Sequence, residues 1–317
     1  MEATIIIATY NEENFIEDCI RSLENQTYPR DKYQIYIIDG ESKDNTTKVV
    51  EKLITEYENI KLFNNPKKIQ AVAFNIGLNN TETEYAFVVG AHAIFDEEFI
   101  ENSIVSSREN NVECVGGKVT FDAKTKIGQY YALARGTLFG GGTASYRYSN
   151  KKQYVDTASF GCYKTKCMKE VSGYNETLVK NQDNDINKRI RANGGKMLFD
   201  PSIKFTYFTR DNYKDIKKQM FNYGYWEAKV IKQDSKQFSL VTMVPAAFVI
   251  YNVLAILLAF VSFVPLLLCY IPYLLLYTVF YFKDAAGKNP IILLWIYLTI
   301  HTSIGIGLIK GWITKES

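Results

Sequence analysis

Short apolar, β-branched runs alternate with polar turns and helix-spaced stripes over the first third of the chain. Residues 4–8 read as a buried strand. It runs into Thr9-Tyr10-Asn11-Glu12-Glu13, where Asn11 suits an N-cap and two acids favour a first helical turn. Phe15, Cys19, Ile20 and Leu23 then recur at helical spacing. The unit repeats: a strand at 33–38, the turn Asp39-Gly40-Glu41-Ser42-Lys43-Asp44, and a helix lined by Val49, Val50, Leu53 and Ile54. Residues 60–63 make a third strand, 69–78 a helix, and 85–89 a fourth strand. This alternation predicts an α/β fold with a mostly parallel sheet and helices on both faces.

Further on, the pattern predicts a helix at 97–110 and a strand at 114–121. Residues 136–143, with Gly140-Gly141-Gly142, read as a mobile loop near the site. Strands follow at 154–163, 197–200 and 203–208. Residues 213–236 form a long helix that mixes lysines with Met220, Phe221, Tyr225 and Trp226. That composition suits a helix on a membrane surface, or an amphipathic helix packed on the domain. Residues 240–282 contain no charge and are about twice as long as a bilayer span. Pro265 marks a turn between two spans, and Pro272 a tolerated kink. After a polar loop at 283–288, residues 291–309 are a third apolar run. Lysines before the first span and after the second place both in the cytoplasm, with the tail after Lys310 outside. The predicted division is a cytoplasmic catalytic domain at 1–211, an interfacial helix at 212–239, and a membrane domain of about three helices at 240–317.

In such a sheet, ligands bind beyond the carboxyl ends of the strands. The turns at 9–12, 39–44 and 90–92 therefore share one neighbourhood. None is a GxGxxG or P-loop motif. Their carboxylates and amides suit the ribose and base of a nucleotide, and they are also ordinary turn residues. The stretch 181–191 adds a second candidate. Ile186 and Ile190 share a helix face, Asp183 and Asp185 sit at its start, and Gly194-Gly195 ends it. A carboxylate fixed there is suited to general base work, and equally to a solvated helix start. The net charge of +3 argues against nucleic acid as partner. The five cysteines form no CxxC pair or zinc spacing, which predicts reduced, buried thiols. The N-terminus enters a strand directly, with no signal-peptide pattern.

The run 8–13, the turn 38–44 and the stretch 181–191 together resemble the family 2 glycosyltransferases of the GT-A fold. The likeness extends through Gly194-Gly195, residues 219–224, His301 and Gly305-Ile306-Gly307, and points to the membrane-attached, succinoglycan-type subgroup. The resemblance implies inverting transfer of one sugar from a nucleotide diphosphate sugar, UDP-linked by expectation, in capsular or exopolysaccharide synthesis in a prokaryote. The implied acceptor is a polyprenyl-diphosphate-linked saccharide. Thr9, Asn11 and Glu12 would flank the nucleotide, Asp39 would hold the base or ribose, and Ser42 and Asp44 would lie close by. Asp183 corresponds to the catalytic base, and Asp185 to a helix-orienting acid. Gln182, Gln219, Tyr223 and Trp226 are the implied lining of the acceptor side. Lys214, Lys217, Lys218 and Lys229 either attract its diphosphate and anionic headgroups or form a solvated face.

The chain departs from the family at two places. Where relatives carry an acidic motif for Mn2+ or Mg2+, this chain reads Gly90-Ala91-His92. Either His92 ligates a metal held mostly by the diphosphate, or Asp96 substitutes, or the protein is weak, metal-independent or inactive. The QxxRW signature of processive members is also absent after Gln219, so single-sugar addition is expected, with a processive synthase or an inactive binding subunit as alternatives.

Overall fold

The computed structural model describes residues 1–142, 147–178, 182–233 and 238–314. The chain runs β1 Ala3–Thr9, α1 Ile16–Glu24, β2 Tyr33–Asp39, α2 Thr46–Glu56, β3 Ile60–Asn64, α3 Gln70–Asn79 and β4 Tyr85–Gly90. Then come β5 Ala93–Phe95, α4 Phe99–Asn110, β6 Cys114–Asp122, α5 Lys126–Arg135, α6 Leu138–Gly141, β7 Gln153–Tyr154, β8 Cys162–Lys164 and α7 Thr165–Glu170. The last elements are α8 Gln182–Ala192, β9 Met197–Phe208, α9 Tyr213–Gln233, α10 Leu240–Leu258, α11 Val264–Asp284 and α12 Pro290–Ile313.

The chain divides into two compact units, Met1–Thr120 with Ala144–Tyr207, and Phe121–Thr143 with Phe208–Ser317. Helix α5 belongs to the second unit, where its apolar partners lie far along the chain, on α9 and α12.

In the first unit, β3, β2, β1 and β4 are parallel, with Thr9 opposite Asp39 and Ala8 opposite Gly90. Beyond β4 the order continues β8-β6-β9-β5 with antiparallel pairs. The helices earn their places by periodicity: Ile16, Cys19, Ile20 and Leu23 of α1 are all fully buried. Cys19, Cys114, Cys162 and Cys167 are buried free thiols.

Three expectations change. The single strand at 154–163 is two short ones, since β7 pairs with β9 while β8 pairs with β4 and β6. One extended segment cannot lie in both places. The strands expected at 197–200 and 203–208 are one, β9. Pro201 is tolerated between the β7-paired and β5-paired stretches, where the Ser202 amide bonds the Asp200 carboxylate. The expected loop at 136–143 contains α6, capped by Thr137, whose hydroxyl accepts from the Gly140 amide. Thr143 lies outside the described residues.

In the second unit, Tyr130, Tyr131 and Ala134 of α5 form a core with Ile216 and Met220 of α9 and Leu293, Ile296, Tyr297 and Ile300 of α12. Helices α9 and α12 touch backbone to backbone: a Cβ at Gly224 would collide with the Ile304 carbonyl, and one at Gly307 with the Phe221 carbonyl. The α9 face carrying Met220 is thus covered by α5 and α12. Residues 234–236 of the expected helix lie outside the described residues. Helices α10, α11 and α12 are long and apolar enough to cross a membrane. Half of the most apolar window of α12 is buried, against 11% for each of the others, so α12 is the helix around which the unit packs.

Candidate active site

The ends of β1 and β2 are level, so the turns that follow them meet. Both need left-handed backbone, at Asn11 (φ 58) and Glu41 (φ 57). Asp39, only 4% exposed, ties them together. Its carboxylate accepts the Ser42 amide at 2.8 Å, the Ser42 hydroxyl at 2.5 Å and the Thr9 hydroxyl at 3.1 Å. Ser42 Oγ accepts from the Asn11 amide at 2.8 Å, and Asn11 Oδ1 from the Lys43 amide at 2.8 Å. Asp44 accepts from the Glu13 amide and from Thr46, whose Oγ1 takes the Glu12 amide at 2.7 Å. Burial pushes the Asp44 carboxyl up, but the Thr46 hydroxyl and the surrounding amides outweigh it and hold it below its ordinary value. The six donor-side candidates therefore sit in two hydrogen-bonded sets on the same two turns: Thr9, Asn11, Asp39 and Ser42 in one, Glu12 and Asp44 in the other.

His92 follows β4 and returns to these turns. Its Nε2 lies 2.9 Å from Glu12 Oε2, with both side chains about five-sixths buried (15% and 16% exposed). The ring rests on Phe15 at 4.4 Å, and Nδ1 is buried without a hydrogen-bond partner. Among the described residues no group of three or more His, Cys, Asp or Glu could hold a metal. Asp96 does not join: it is exposed beyond β5, where its backbone bonds Lys204 and Gln26. One carboxylate oxygen and one imidazole nitrogen at 2.9 Å do fit two adjacent ligands of an ion bound at about 2.0–2.2 Å. The remaining ligands would come from a diphosphate, and the mixed pair suits Mn2+ better than Mg2+.

Helix α8 supplies the second half of the site. Ile186 and Ile190 are buried, and Gly194 ends the helix in left-handed backbone (φ +86). Arg189 binds one oxygen of Asp185 through Nε at 2.9 Å and Nη2 at 2.7 Å, and also reaches the Val171 and Gly173 carbonyls. Gln182 is 5% exposed and donates to Gln70 Oε1 at 2.7 Å. Asp183 is exposed in the first turn. Burial pushes the Tyr174 phenol well above its ordinary value, and the Asp183 carboxylate adds to it. Asn181 lies outside the described residues.

Residues 4–169 match the family model described as "Glycosyl transferase family 2". The chain belongs to this family. It is 30% identical, over 99% of its own length and 98% of the relative's, to the dolichyl N-acetyl-alpha-D-glucosaminyl phosphate 3-beta-D-2,3-diacetamido-2,3-dideoxy-beta-D-glucuronosyltransferase of Methanococcus voltae. It is 23% identical to succinoglycan biosynthesis protein ExoA of Rhizobium meliloti (strain 1021), over 77% of this chain and 74% of that one. Among solved structures it resembles the mannosyltransferase PcManGT from Pyrobaculum calidifontis in complex with GDP-Man and Mn2+, with TM-score 0.70 and 16% identity, over 99% of this chain and 88% of that one. The protein is a glycosyltransferase with a GT-A-like fold and three C-terminal helices apolar enough to span a membrane.

The acceptor-side candidates of this glycosyltransferase divide between its units. Gln182 lies in the first unit, and Gln219, Tyr223 and Trp226 in the second. There Gln219 Oε1 accepts from the Tyr131 hydroxyl at 2.9 Å, and Trp226 meets Tyr225 edge-on at 5.5 Å. The Tyr223 ring lies 5.3 Å from the guanidinium of Arg135, which also faces Phe121 and Tyr131. Sequence reasoning passed over Arg135, although a charge directly after the mostly apolar run 130–134 was visible. It also passed over Asn187, whose signal was a polar residue four after Asp183 on the Ile186 and Ile190 side. Asn187 is fully buried, accepts from the Tyr163 hydroxyl at 2.9 Å and donates to Thr157 Oγ1 at 2.9 Å.

Proposed function

We propose that this glycosyltransferase moves one sugar, with inversion, from a UDP-linked donor to a lipid-linked saccharide held at the membrane, within assembly of a capsular or exported polysaccharide. The observation that carries the reading is the place of Asp183, whose carboxylate stands exposed in the first turn of α8. Asp183 takes the proton from the acceptor hydroxyl as that oxygen forms a bond to the anomeric carbon. The bond from that carbon to the diphosphate breaks on the opposite face, and the electron pair leaves with the diphosphate. The Thr9 to Asp44 network binds the nucleotide, and Asp39 keeps capacity for a ribose hydroxyl beyond its three protein donors. A divalent cation held by Glu12 and His92 would supply positive charge for the leaving diphosphate.

Two relatives support the acceptor class. The Methanococcus voltae relative is named for a dolichyl-linked sugar phosphate, and the Rhizobium meliloti relative for succinoglycan biosynthesis. The catalytic chemistry belongs to the first unit, on the cytoplasmic side, with Gln182 beside Asp183 at the start of α8. The test is release of nucleotide diphosphate in detergent from a panel of nucleotide sugars with a lipid-linked acceptor extract, with Mn2+, with Mg2+ and with chelator. Acceptor-dependent release from one donor, lost in Asp183→Asn, is the expected result. Gly90 motivates a second reading, a binding subunit without turnover; folded protein that binds nucleotide yet releases none with any donor and extract would favour it. A ladder of products rather than one addition would replace single transfer with processive synthesis.

A further inference from the structure

Phe160 has a backbone φ of +47, a region that a bulky L-residue enters only under constraint. Its neighbours supply that constraint. A Cβ at Gly116 would lie 2.5 Å from the Ala158 Cβ and 3.1 Å from the Ser159 carbonyl oxygen. The Gly161 carbonyl accepts from the Val88 amide of β4 at 3.1 Å, and β8 begins at the next residue. The chain therefore has no slack between β6 and β4, and the Phe160 ring is delivered over Gly90. A Cβ at Gly90 would lie 3.2 Å from Phe160 Cζ. Phe205, at 4.9 Å, and Tyr207, at 6.0 Å, hold the ring there, and Tyr207 in turn approaches His92 at 6.2 Å. The ring remains only half-buried.

Its place in the sheet gives this ring a role. Gly90 is opposite Ala8, and the next residue, Thr9, is opposite Asp39. Phe160 thus stands in the row of strand ends that carries the polar network, an aromatic face beside the acids, amides and hydroxyls of that network. A sugar ring matches such a face, because its C–H groups pack on an aromatic surface while its hydroxyls remain at the edge for polar partners. We propose that Phe160 is a specificity-determining residue of the donor site: its ring is the platform on which the sugar of the nucleotide sugar lies. The inference rests on the donor-site reading above and deepens it. Removing the ring should weaken recognition of the sugar and leave recognition of the nucleotide.

The test is equilibrium binding to the full chain in detergent, using UDP-GlcNAc, UDP-glucose and GDP-mannose beside UDP and GDP. Phe160→Gly removes the ring and tolerates the positive φ, whereas Phe160→Tyr keeps the ring. The expected result for Phe160→Gly is about five- to tenfold weaker binding of the nucleotide sugar that the native protein prefers. Free nucleoside diphosphate should bind within about twofold of native, and Phe160→Tyr should retain native affinity. Equal loss for sugar-bearing and free nucleotides would make the ring a structural wall and overturn the inference, as would no loss at all. If native protein binds none of the nucleotides, the donor-site reading fails and takes this inference with it. If it binds UDP or GDP normally but the variants do not separate sugar from nucleotide, only this inference fails.

Discussion

Arg189 holds Asp185 by two nitrogens on a single carboxylate oxygen, one helical turn apart. The same guanidinium reaches the Val171 and Gly173 carbonyls, which fastens the helix to the preceding turn. Asp183 stands exposed in the first turn of the same helix. Asp183→Asn should lower turnover by about 10²–10⁴-fold with nucleotide affinity nearly native. Asp185→Asn should act mainly on stability, by about 1–3 kcal/mol, through a half-buried arginine left without its acid. Turnover, nucleotide binding and melting temperature measured on both variants check the assignment; equal kinetic loss in the two would remove it.

Asp39 joins both donor-side turns, so its replacement should be felt by both. Asn at this position offers an amide where Ser42 and Thr9 present donors. Asp39→Asn should weaken nucleotide binding by at least about tenfold, and Thr9→Val by less, since Thr9 supplies one donor at 3.1 Å. Titration with the preferred nucleoside diphosphate measures both.

Glu12 and His92 give the site its only paired carboxylate and imidazole among the described residues of the donor turns. Chelator should suppress nucleotide diphosphate release, and Mn2+ should restore it better than Mg2+. His92→Ala should raise the Mn2+ concentration for half-maximal activation by about 10–100-fold. Activation curves of native and variant protein decide this, and identical curves would detach His92 from the metal.

Acid should loosen the first unit through Glu2. Lys32 first, then Tyr28 and Arg108, hold the Glu2 carboxyl down at about 2, from an ordinary 4.5. Because the folded value is depressed, its contribution is complete above about 4.5 and is lost as pH falls toward 2. Melting temperature should therefore decline through that window, and Glu2→Gln should flatten the decline. A slope unchanged in the variant would assign the acid sensitivity to other carboxylates.

The second unit depends on close backbone contact between α9 and α12. Gly224→Leu or Gly307→Val would force the helices apart at the Ile304 and Phe221 carbonyls. Each should cost about 1–3 kcal/mol or more, read as a lower melting temperature in detergent. Substitution at Gly287, which has open space around it but a φ of +88, should cost about 1 kcal/mol through backbone strain alone.

Strands β1 to β4, the helices between them and the three apolar helices follow from the order of residues alone. Buried strands and amphipathic helices announce themselves by spacing within a few positions, as Ile16, Cys19, Ile20 and Leu23 do. The polar turns at strand ends were legible for the same reason, and parallel alternation already implied that they meet. Tertiary structure alone decided what depends on partners distant in sequence. Glu12 meets His92 eighty residues later. Gln182 is committed to Gln70 on another helix. Residues 154–163 are divided because their hydrogen-bond partners lie on different strands. Phe160 takes its strained backbone because the chain on either side is pressed against Gly116 and β4. Periodicity records which face of an element is buried, but not which residue covers it; that is settled only when the elements pack together.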